Sequence, residues 1–553
     1  MRKKNGFVIS TTLYSVFGIM LLIVFYILYA LSNNRYIITG SVNEIKDKFS
    51  NIQNSSLSSE YKDTSGANKP ILASGMIPVV YDETNNVWVK ADLHEKWYDY
   101  NEQWWANAVT VESTNSKLYT YLSNEHIGKE IPMDEINSMW VWIPRFKYNI
   151  PSALGSASTI QSPPIINVQF ETDTKITGVT EKEYRNGIAS GALNSLEYTH
   201  PAFRNKNDIE YGDTSSWGAW DKELTGFWVS KFEVGTTNLN YNCIYEVTKA
   251  PSNRCFPNDI NSFFDSSYGM PLIKPNLNPL TNQDLIDAFK TSLIFSGRIM
   301  DDATGNITYS GPNRFGLSTN NDSHMMKNTE WGAVAILSQS QYGKKGNSDY
   351  TETNKNIYFN PSRNKTGASS CCTSTNPSCS NIGTYEYNDI VDRTNGKGAC
   401  GAGASTTGNI YGIYDMAGGL YDYTFSLRVN TSQNVVFGYS EIQFPDNFPD
   451  EKYYDYYHGP YGANKTATVT KENIILGDAT WETMQWGLST TDENKVIGNL
   501  SFNRGGLSDS SGGNIFRWGG TNGDYTTLTS VWSYSSFHVT LMPNIYLIDV
   551  TIQ

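Results

Sequence analysis

The chain has 553 residues, with 42 Lys or Arg against 55 Asp or Glu and a formal net charge of −13. This length is enough for more than one domain, and the 39% share of hydrophobic residues excludes a wholly disordered chain. The acidic balance argues against a nucleic-acid partner. Charged residues make up only 18%, and the 36 tyrosines among many Asn, Ser and Thr residues indicate a β-rich surface suited to adhesion.

An uncharged stretch near the N-terminus predicts a membrane anchor. Residues 7–31 would form a helix of about 37 Å, longer than the roughly 30 Å of a hydrocarbon core. Basic residues at 2–4 precede it and only Arg35 follows closely, so the positive-inside rule keeps the tip in the cytoplasm and exports the bulk of the chain. We therefore assign 1–34 to a cytoplasmic tip and transmembrane anchor. A cleaved signal peptide is the alternative, disfavoured by the length of the apolar run and the lack of an A-x-A-like site.

The first residues also carry a second pattern. Lys4, Asn5, Gly6 and Phe7 before an apolar helix resemble a type IV prepilin leader, in which cleavage follows the Gly. That family has Glu five residues into the mature helix, where this chain has Thr11. The resemblance is therefore to an atypical minor pilin.

Two further segments follow the anchor. Residues 35–75 are predicted as a stalk, because most of the segment is rich in Ser, Asn, Lys and Gly with little hydrophobic periodicity. Residues 76–130 are predicted as a small β module of two hairpins, one with strands at 77–81 and 87–91 and one with strands at 97–100 and 105–111. Its aromatic residues could form a ligand platform, but at this spacing cross-strand core pairs are the more frequent arrangement: Trp88, Trp97, Trp104 and Trp105.

The remainder, residues 131–553, is predicted as one large domain with little regular structure. Short strands such as 140–144 and 226–235 alternate with long loops rich in Gly, Asn and Ser. Amphipathic patterns predict two helices, at 283–294 and 328–337, with Asn282 as the N-cap of the first.

Several segments of this domain, taken in order, are similar to the formylglycine-generating enzyme or sulfatase-modifying-factor family. They are MWVWIPRF (139–146), GFWVSKFEVG (226–235), NTEWGAVA (328–335), NIYGIYDMAGGLYDY (409–423), and FNRGGLS (502–508) with SFHV (536–539). The fourth segment, NIYGIYDMAGGLYDY (409–423), is the most specific. The resemblance implies an α+β fold of the C-type-lectin type over about 139–542.

The family's chemistry does not carry over to this chain. Active members hold copper with two cysteines just after the R-G-G-S strand, and residues 504–527 contain no cysteine. The six histidines show no metal-binding spacing, and no serine-hydrolase or P-loop motif is present. We therefore expect a protein that is not an enzyme, with an enzyme of altered site as the alternative. Asp415 or Asp422 could act as an acid or base, but a lone carboxylate in such a loop is more often a turn-capping acceptor.

The resemblance also implies a calcium site. The family often binds calcium near its G-N-x-W-E turn, where this chain has Gly419 in place of the Asn and Asp422 in place of the Glu. One carboxylate ligand is therefore kept and one side-chain oxygen is lost. Calcium is the one cofactor that we expect here, with Asp422 as its side-chain ligand.

All cysteines lie on the exported side of the anchor, which favours structural disulfides. Cys243 with Cys255 would close one loop. Adjacent cysteines fit disulfide geometry poorly, so the next two should each pair onward with one of the last two: Cys371, Cys372, Cys379 and Cys400. A zinc site is the alternative, but the spacing lacks paired C-x-x-C motifs.

The sequence thus predicts a membrane-anchored bacterial surface protein that binds an extracellular glycan or protein. Related domains act as adhesins and as variable receptors that change exposed residues after the R-G-G strand. Transferred to this chain, that resemblance implies a recognition surface of Ser508, Asn514, Phe516, Trp518, Tyr525, Trp532 and Tyr534. Aromatic residues with Asn and Ser suit adaptable binding surfaces, although Phe516 and Trp518 could instead belong to the core.

Overall fold

A computed structural model describes the chain between residues 60 and 543, with gaps. The described residues are 60–112, 117–149, 165–180, 183, 196–205, 219–239, 243–244, 270–309, 315–317, 321–343, 360–370, 382–383, 385, 404–429, 435–437, 440–442, 448–458, 475–479, 502–505 and 535–543. The chain divides into two compact units, Met1–Glu60 and Tyr61–Gln553, and nearly all described residues belong to the second.

The predicted anchor at 7–31 and the prepilin-like leader lie outside the described residues. Within the part that the structure describes, no helix has the length and apolar character needed to cross a bilayer.

The second unit is a mixed α+β structure made mostly of sheet, with few helices. In chain order, its first strands are β1 Ile77–Asp82, β2 Val87–Lys90, β3 Asn107–Val111, β4 Ile136–Pro144, β5 Phe146–Asn149, β6 Val168–Phe170, β7 Glu197–Thr199, β8 Gly226–Ser230, β9 Gly235–Thr236, β10 Pro271–Leu272, β11 Asn278–Pro279 and β12 Arg298–Met300. The later strands are β13 Ile307–Tyr309, β14 Asp322–Met325, β15 Ser369–Ser370, β16 Ile382–Gly383, β17 Tyr421–Thr424, β18 Ser426–Val429, β19 Val435–Phe437, β20 Ser440–Ile442, β21 Asp455–His458, β22 Phe502–Arg504, β23 Ser535–Phe537 and β24 Val539–Met542. The described α-helices are α1 Lys117–Leu122, α2 Leu285–Ile294 and α3 Asn328–Ser338.

Seven strands form the main sheet in the order β14-β24-β8-β4-β3-β1-β2, and every neighbouring pair is antiparallel. The central strand β4 is buried over nearly its whole length on both faces, as its apolar sequence INSMWVWIP requires. The described residues also form smaller sheets of two to four strands. One hydrophobic cluster runs through the unit and holds large aromatic pairs such as Trp142 and Trp228, whose ring centroids are 5.3 Å apart.

The residues predicted as a separate module, 76–130, are instead part of this main sheet. The first predicted hairpin is confirmed, with β1 and β2 antiparallel and Asn86 in the turn at a φ of 57°. However, β3 pairs with β1 on one side and with β4 on the other, so the sheet continues across residue 130. The boundary differs from the prediction because a lone hairpin module could not bury its apolar faces by itself.

The second predicted hairpin is shorter than expected. Tyr100–Glu102 form a 3-10 helix, and Asp99 pairs with Trp104 as an isolated bridge. Three of the four tryptophans predicted as core or platform are buried, which favours the core interpretation: Trp88, Trp97 and Trp105.

The two helices expected in the large domain are confirmed at α2 and α3. Asp284, rather than the predicted Asn282, caps α2 by accepting a hydrogen bond from the Asp287 backbone. Helix α3 was expected to be amphipathic, but all of its residues are buried. A helix enclosed on every side in this way is an interior element of a large domain.

Part of the predicted stalk also belongs to the folded unit. Within 61–75, the side chain of Asn68 lies against three backbone carbonyls, and two tryptophans of the main sheet donate to this segment's own carbonyls. Trp142 donates to the carbonyl of Asn68 at 3.2 Å and Trp228 to that of Ile71 at 2.7 Å. Composition alone predicted a stalk because the segment has no periodicity, yet it satisfies buried donors of the sheet.

Replacing Asn68 by alanine is expected to reduce the free energy of unfolding by about 2–3 kcal/mol. Its Nδ2 lies 3.0 Å from the carbonyl oxygens of Glu171, Asp173 and Thr225, and its Oδ1 accepts from the Asp173 backbone at 2.8 Å. Denaturant unfolding measures the change. Asn85→Ala, in an exposed turn, is the control and should cost less than about 0.5 kcal/mol. Equal losses for the two variants would contradict the packed position of residues 61–75.

Candidate functional site

The segment predicted to recognise ligand is bounded by two strands on either side of β17. Strand β22 runs antiparallel to β17 with Arg504 opposite Asp422, and β23 runs parallel to it with Ser535 opposite Tyr421. The chain therefore leaves at 505 and returns at 535 at the same end of β17. With neighbouring strands about 4.8 Å apart, these two points are roughly 10 Å from each other. We call this pair of strand ends with β17 the loop base.

Gly505 is required where β22 ends. Its φ is +79°, and a Cβ at this position would lie 2.9 Å from the carbonyl oxygen of Met416. The Gly505 carbonyl in turn accepts from the Gly418 backbone at 3.2 Å. The R-G-G sequence thus places backbone against backbone where a side chain has no room.

Asp415 fastens the loop that leads into β17. It has a φ of 65°, and its carboxylate accepts from the Gly367 backbone at 2.9 Å, from Asn360 Nδ2 at 2.8 Å and from the Glu233 backbone at 3.3 Å. Burial raises its pKa to about 6 against the opposing effect of His538 and these donors. With three donors from two parts of the chain, Asp415 is a structural acceptor, which agrees with the turn-capping interpretation.

Asp422 lies in the middle of the loop base and is completely buried. Its Oδ2 accepts from Trp331 Nε1 at 3.0 Å and is 2.9 Å from His538 Nδ1, while its Oδ1 accepts from the His538 backbone at 3.1 Å. Helix α3 and the residue between β23 and β24 are therefore both bonded to one carboxylate.

The expected calcium site gains no support from this geometry. Both oxygens of Asp422 lie against nitrogen donors of the protein, whereas calcium needs oxygen ligands around it. In the described part of the chain, no group of three or more His, Cys, Asp or Glu residues could hold a metal ion. Calcium at Asp422 stays a prediction.

Arg504 adds a buried cation to the loop base. Its guanidinium lies 4.1 Å from the ring centroid of Trp331, and its Nη2 donates to the Asp478 carbonyl at 3.0 Å. Trp331 thus carries a cation on its ring face and donates to an anion through its indole nitrogen, which fixes its orientation.

Lys231 holds the beginning of the loop that leads into β17. Its Nζ donates to Asn107 Oδ1 at 2.8 Å, to the Ile410 carbonyl at 2.6 Å and to the Gly412 carbonyl at 2.9 Å. The rings of Trp88 and Tyr414 lie 5.1 and 5.6 Å from the same nitrogen. Lys231 therefore ties the 409–420 loop to the main sheet through a fully buried amine.

Sequence reasoning did not select Lys231, Glu233, Trp331, Arg504 or His538 as members of one cluster. A signal for two of them was present, because Lys231 and Glu233 are charged residues inside an apolar strand pattern, where charges are rare unless paired. The structure joins every segment that carried the resemblance: β4, β8 and β24 are neighbours in the main sheet, and α3, 409–423 and β22 meet at Asp422.

All residues predicted to recognise ligand lie outside the described residues: Ser508, Asn514, Phe516, Trp518, Tyr525, Trp532 and Tyr534. Of the cysteines, Cys243 is described; it is buried and disulfide-bonded. The others also lie outside the described residues, so the pairing stays a prediction: Cys255, Cys371, Cys372, Cys379 and Cys400.

Comparison with known proteins leaves the family open. No protein-family model matches this sequence, and no curated protein is significantly similar to it.

Proposed function

We propose that this chain is a membrane-anchored bacterial surface protein that binds an extracellular glycan or protein through a non-catalytic domain of the C-type-lectin type. The observation that supports this most is the loop base. Gly505 and Ser535, which 29 residues separate in the sequence, lie at the same end of β17, and a buried network joins the elements beside them. A long segment displayed from a rigid, closely spaced base is how scaffold proteins present variable recognition residues.

The buried groups beneath the loop base favour a scaffold over a reaction centre. Asp415, Asp422 and Lys231 each have protein partners for their polar atoms, which leaves none of them placed to attack a substrate. The composition of 506–534, rich in Ser, Gly, Asn and aromatic residues, is that of adaptable binding surfaces. Membrane attachment and export rest on the apolar stretch at 7–31.

Glycan and protein arrays probed with purified residues 61–553 test this function, in the presence and absence of calcium. Tyr61 is the start of the compact unit, so this fragment keeps the packed residues 61–75. Trp518→Ala and Arg517→Ala are expected to reduce binding at least tenfold if recognition lies after the R-G-G strand. Tyr119→Ala is the matched control, since this ring is 73% exposed on α1 and belongs to another part of the fold.

Binding that is lost with Trp518→Ala but kept with Tyr119→Ala supports the proposed surface. Absence of binding from a folded, oxidised sample in both calcium conditions contradicts it. A titration of free thiols on the same sample separates the enzyme alternative, because a reactive cysteine would be free whereas structural cysteines would be oxidised.

A further inference from the structure

Glu233 is the least satisfied acidic side chain of the described core. It follows β8 and has an exposed fraction of 0%, and neither of its carboxyl oxygens has a hydrogen-bond partner. Only its backbone takes part in the network, by donating to Asp415 at 3.3 Å. An ionised carboxylate buried without donors would cost several kcal/mol, so the arrangement fits an uncharged acid.

The acids around Glu233 add to this effect. Burial raises the pKa of Glu233 well above its usual range, and the charges of Asp415 and Asp422 raise it further. Both neighbours already accept hydrogen bonds from other groups, whereas the carboxyl group of Glu233 accepts none. Hydrogen bonds to a carboxylate favour its charged form, and Glu233 has none, so its surroundings favour the protonated acid.

The cationic side chains near Glu233 interact with other groups. His538 lies against Asp422 at 2.9 Å, and Arg504 stacks on the ring of Trp331. Lys231, two residues before Glu233, donates to Asn107 and to the 410–412 backbone. None of these described cations forms an ion pair with Glu233.

We propose that Glu233 is an uncharged acid in the folded unit, and that its ionisation weakens the packing between the segment joining β8 to β9 and the loop that leads into β17. Its side chain is fully buried as an uncharged acid, whereas a carboxylate at this place has no donors and repels Asp415 and Asp422, which loosens the loop base. The packing between these segments is therefore most stable under acidic conditions and weakens as the pH rises. This inference concerns the folded unit alone and does not depend on what the protein binds.

Proton linkage sets the direction in which the stability changes with pH. The folded-state pKa of Glu233 lies above its unfolded value, so the stability it contributes is complete below about pH 4.5 and is lost as the pH rises towards the folded pKa. Within that interval the folding equilibrium constant of the natural protein falls by up to about tenfold per pH unit relative to a variant with no acid at this position.

The test is guanidinium unfolding of the full-length protein, kept in a mild detergent, at pH 5, 6, 7 and 8. Glu233→Gln keeps the shape and removes the titration, and Glu233→Met removes the polar group as well. We expect the ratio of folding constants, variant over natural protein, to rise at least tenfold between pH 5 and pH 8 for both variants. Glu95→Gln, an exposed acid with no hydrogen bond to its side chain, is the control and should show a constant ratio.

Two results would overturn the proposal. A ratio that does not change with pH for Glu233→Gln, or for Glu233→Met if the Gln variant does not fold, would mean that Glu233 does not titrate in this range. A loss of stability on adding a chelator, seen with the natural protein and not with Glu233→Gln, would mean that the carboxylate holds a cation instead of a proton.

Discussion

An Asp422→Ala variant is expected to lose about 3–5 kcal/mol of unfolding free energy, the cost of leaving a buried charge without its partner. The carboxylate accepts from Trp331 and from both the backbone and the ring of His538, all at 2.9–3.1 Å. Its removal leaves the buried indole N–H of Trp331 and the Nδ1 of His538 without this acceptor, while His538 Nε2 keeps its contact with the Tyr414 carbonyl at 3.0 Å. These donors come from α3 and from the residue before β24. The substitution should therefore weaken the contacts of both elements with β17, and not a single hydrogen bond.

The loss from Asp422→Ala should depend on pH. Burial disfavours the charged form of His538, but the neighbouring Asp422 outweighs this and raises the pKa of the imidazole above its usual value. The stability from this pair is complete below about pH 6.5 and is lost as the pH rises through the folded pKa of His538. The difference between the variant and the natural protein should therefore be larger at pH 6 than at pH 9.

Asp302→Ala is the matched control for this prediction. Asp302 also pairs with a cation, Lys290, but its side chain is 68% exposed. An exposed pair of this kind contributes about 0–1 kcal/mol. Denaturant unfolding of both variants at the two pH values makes the comparison. A loss of stability for Asp422→Ala no larger than that for Asp302→Ala would show that the Asp422 carboxylate does not hold these elements together.

Much of the local structure was predictable from the sequence, because it depends on short-range patterns. The alternation around Asn85 and Asn86 predicted the β1–β2 hairpin, and periodicity predicted α2 and α3. The continuation of the main sheet across residue 130 was not predictable in this way. Whether β3 ends a module or joins β4 depends on a pairing between distant strands, and strand sequences carry little information on their partners.

The candidate site was predictable only as separate segments. Gly505 and the loop around Asp415 could be selected because turns have characteristic residues. Their meeting with Trp331 and His538 could not, since a hydrogen bond between positions 331 and 422 leaves no local pattern in either segment. The stalk prediction was wrong over 61–75 for a similar reason: a polar sequence without periodicity can still be held in place by the donors of a distant sheet.

Lys231 offers a second large effect, at the other end of the same loop. A Lys231→Ala variant is expected to lose about 3–5 kcal/mol, because three buried acceptors lose their donor at once. These are Asn107 Oδ1 and the carbonyls of Ile410 and Gly412, at 2.6–2.9 Å from Nζ. Two of the three belong to the loop that precedes Asp415, so the change should free this loop from the main sheet.

A second variant separates the hydrogen bonds of Lys231 from the cost of burying its amine. Burial lowers the pKa of Lys231 well below its usual value, so the natural protein bears a desolvation cost that Lys231→Met removes while keeping most of the side-chain length. Lys231→Met should therefore lose less than Lys231→Ala but remain less stable than the natural protein, because the carbonyls stay unpaired.

The matched control for these lysine variants is Lys96→Ala. Lys96 also lies over an aromatic ring, at 5.2 Å from that of Trp104, but in an exposed position with two surface ion pairs. Its loss should be below about 1 kcal/mol. If Lys231→Met equals the natural protein in denaturant unfolding, the three acceptors do not need the amine, and the loop is held by the packing of Tyr411 and Tyr414 instead. If it loses several kcal/mol, one buried amine secures the 409–420 loop to the main sheet.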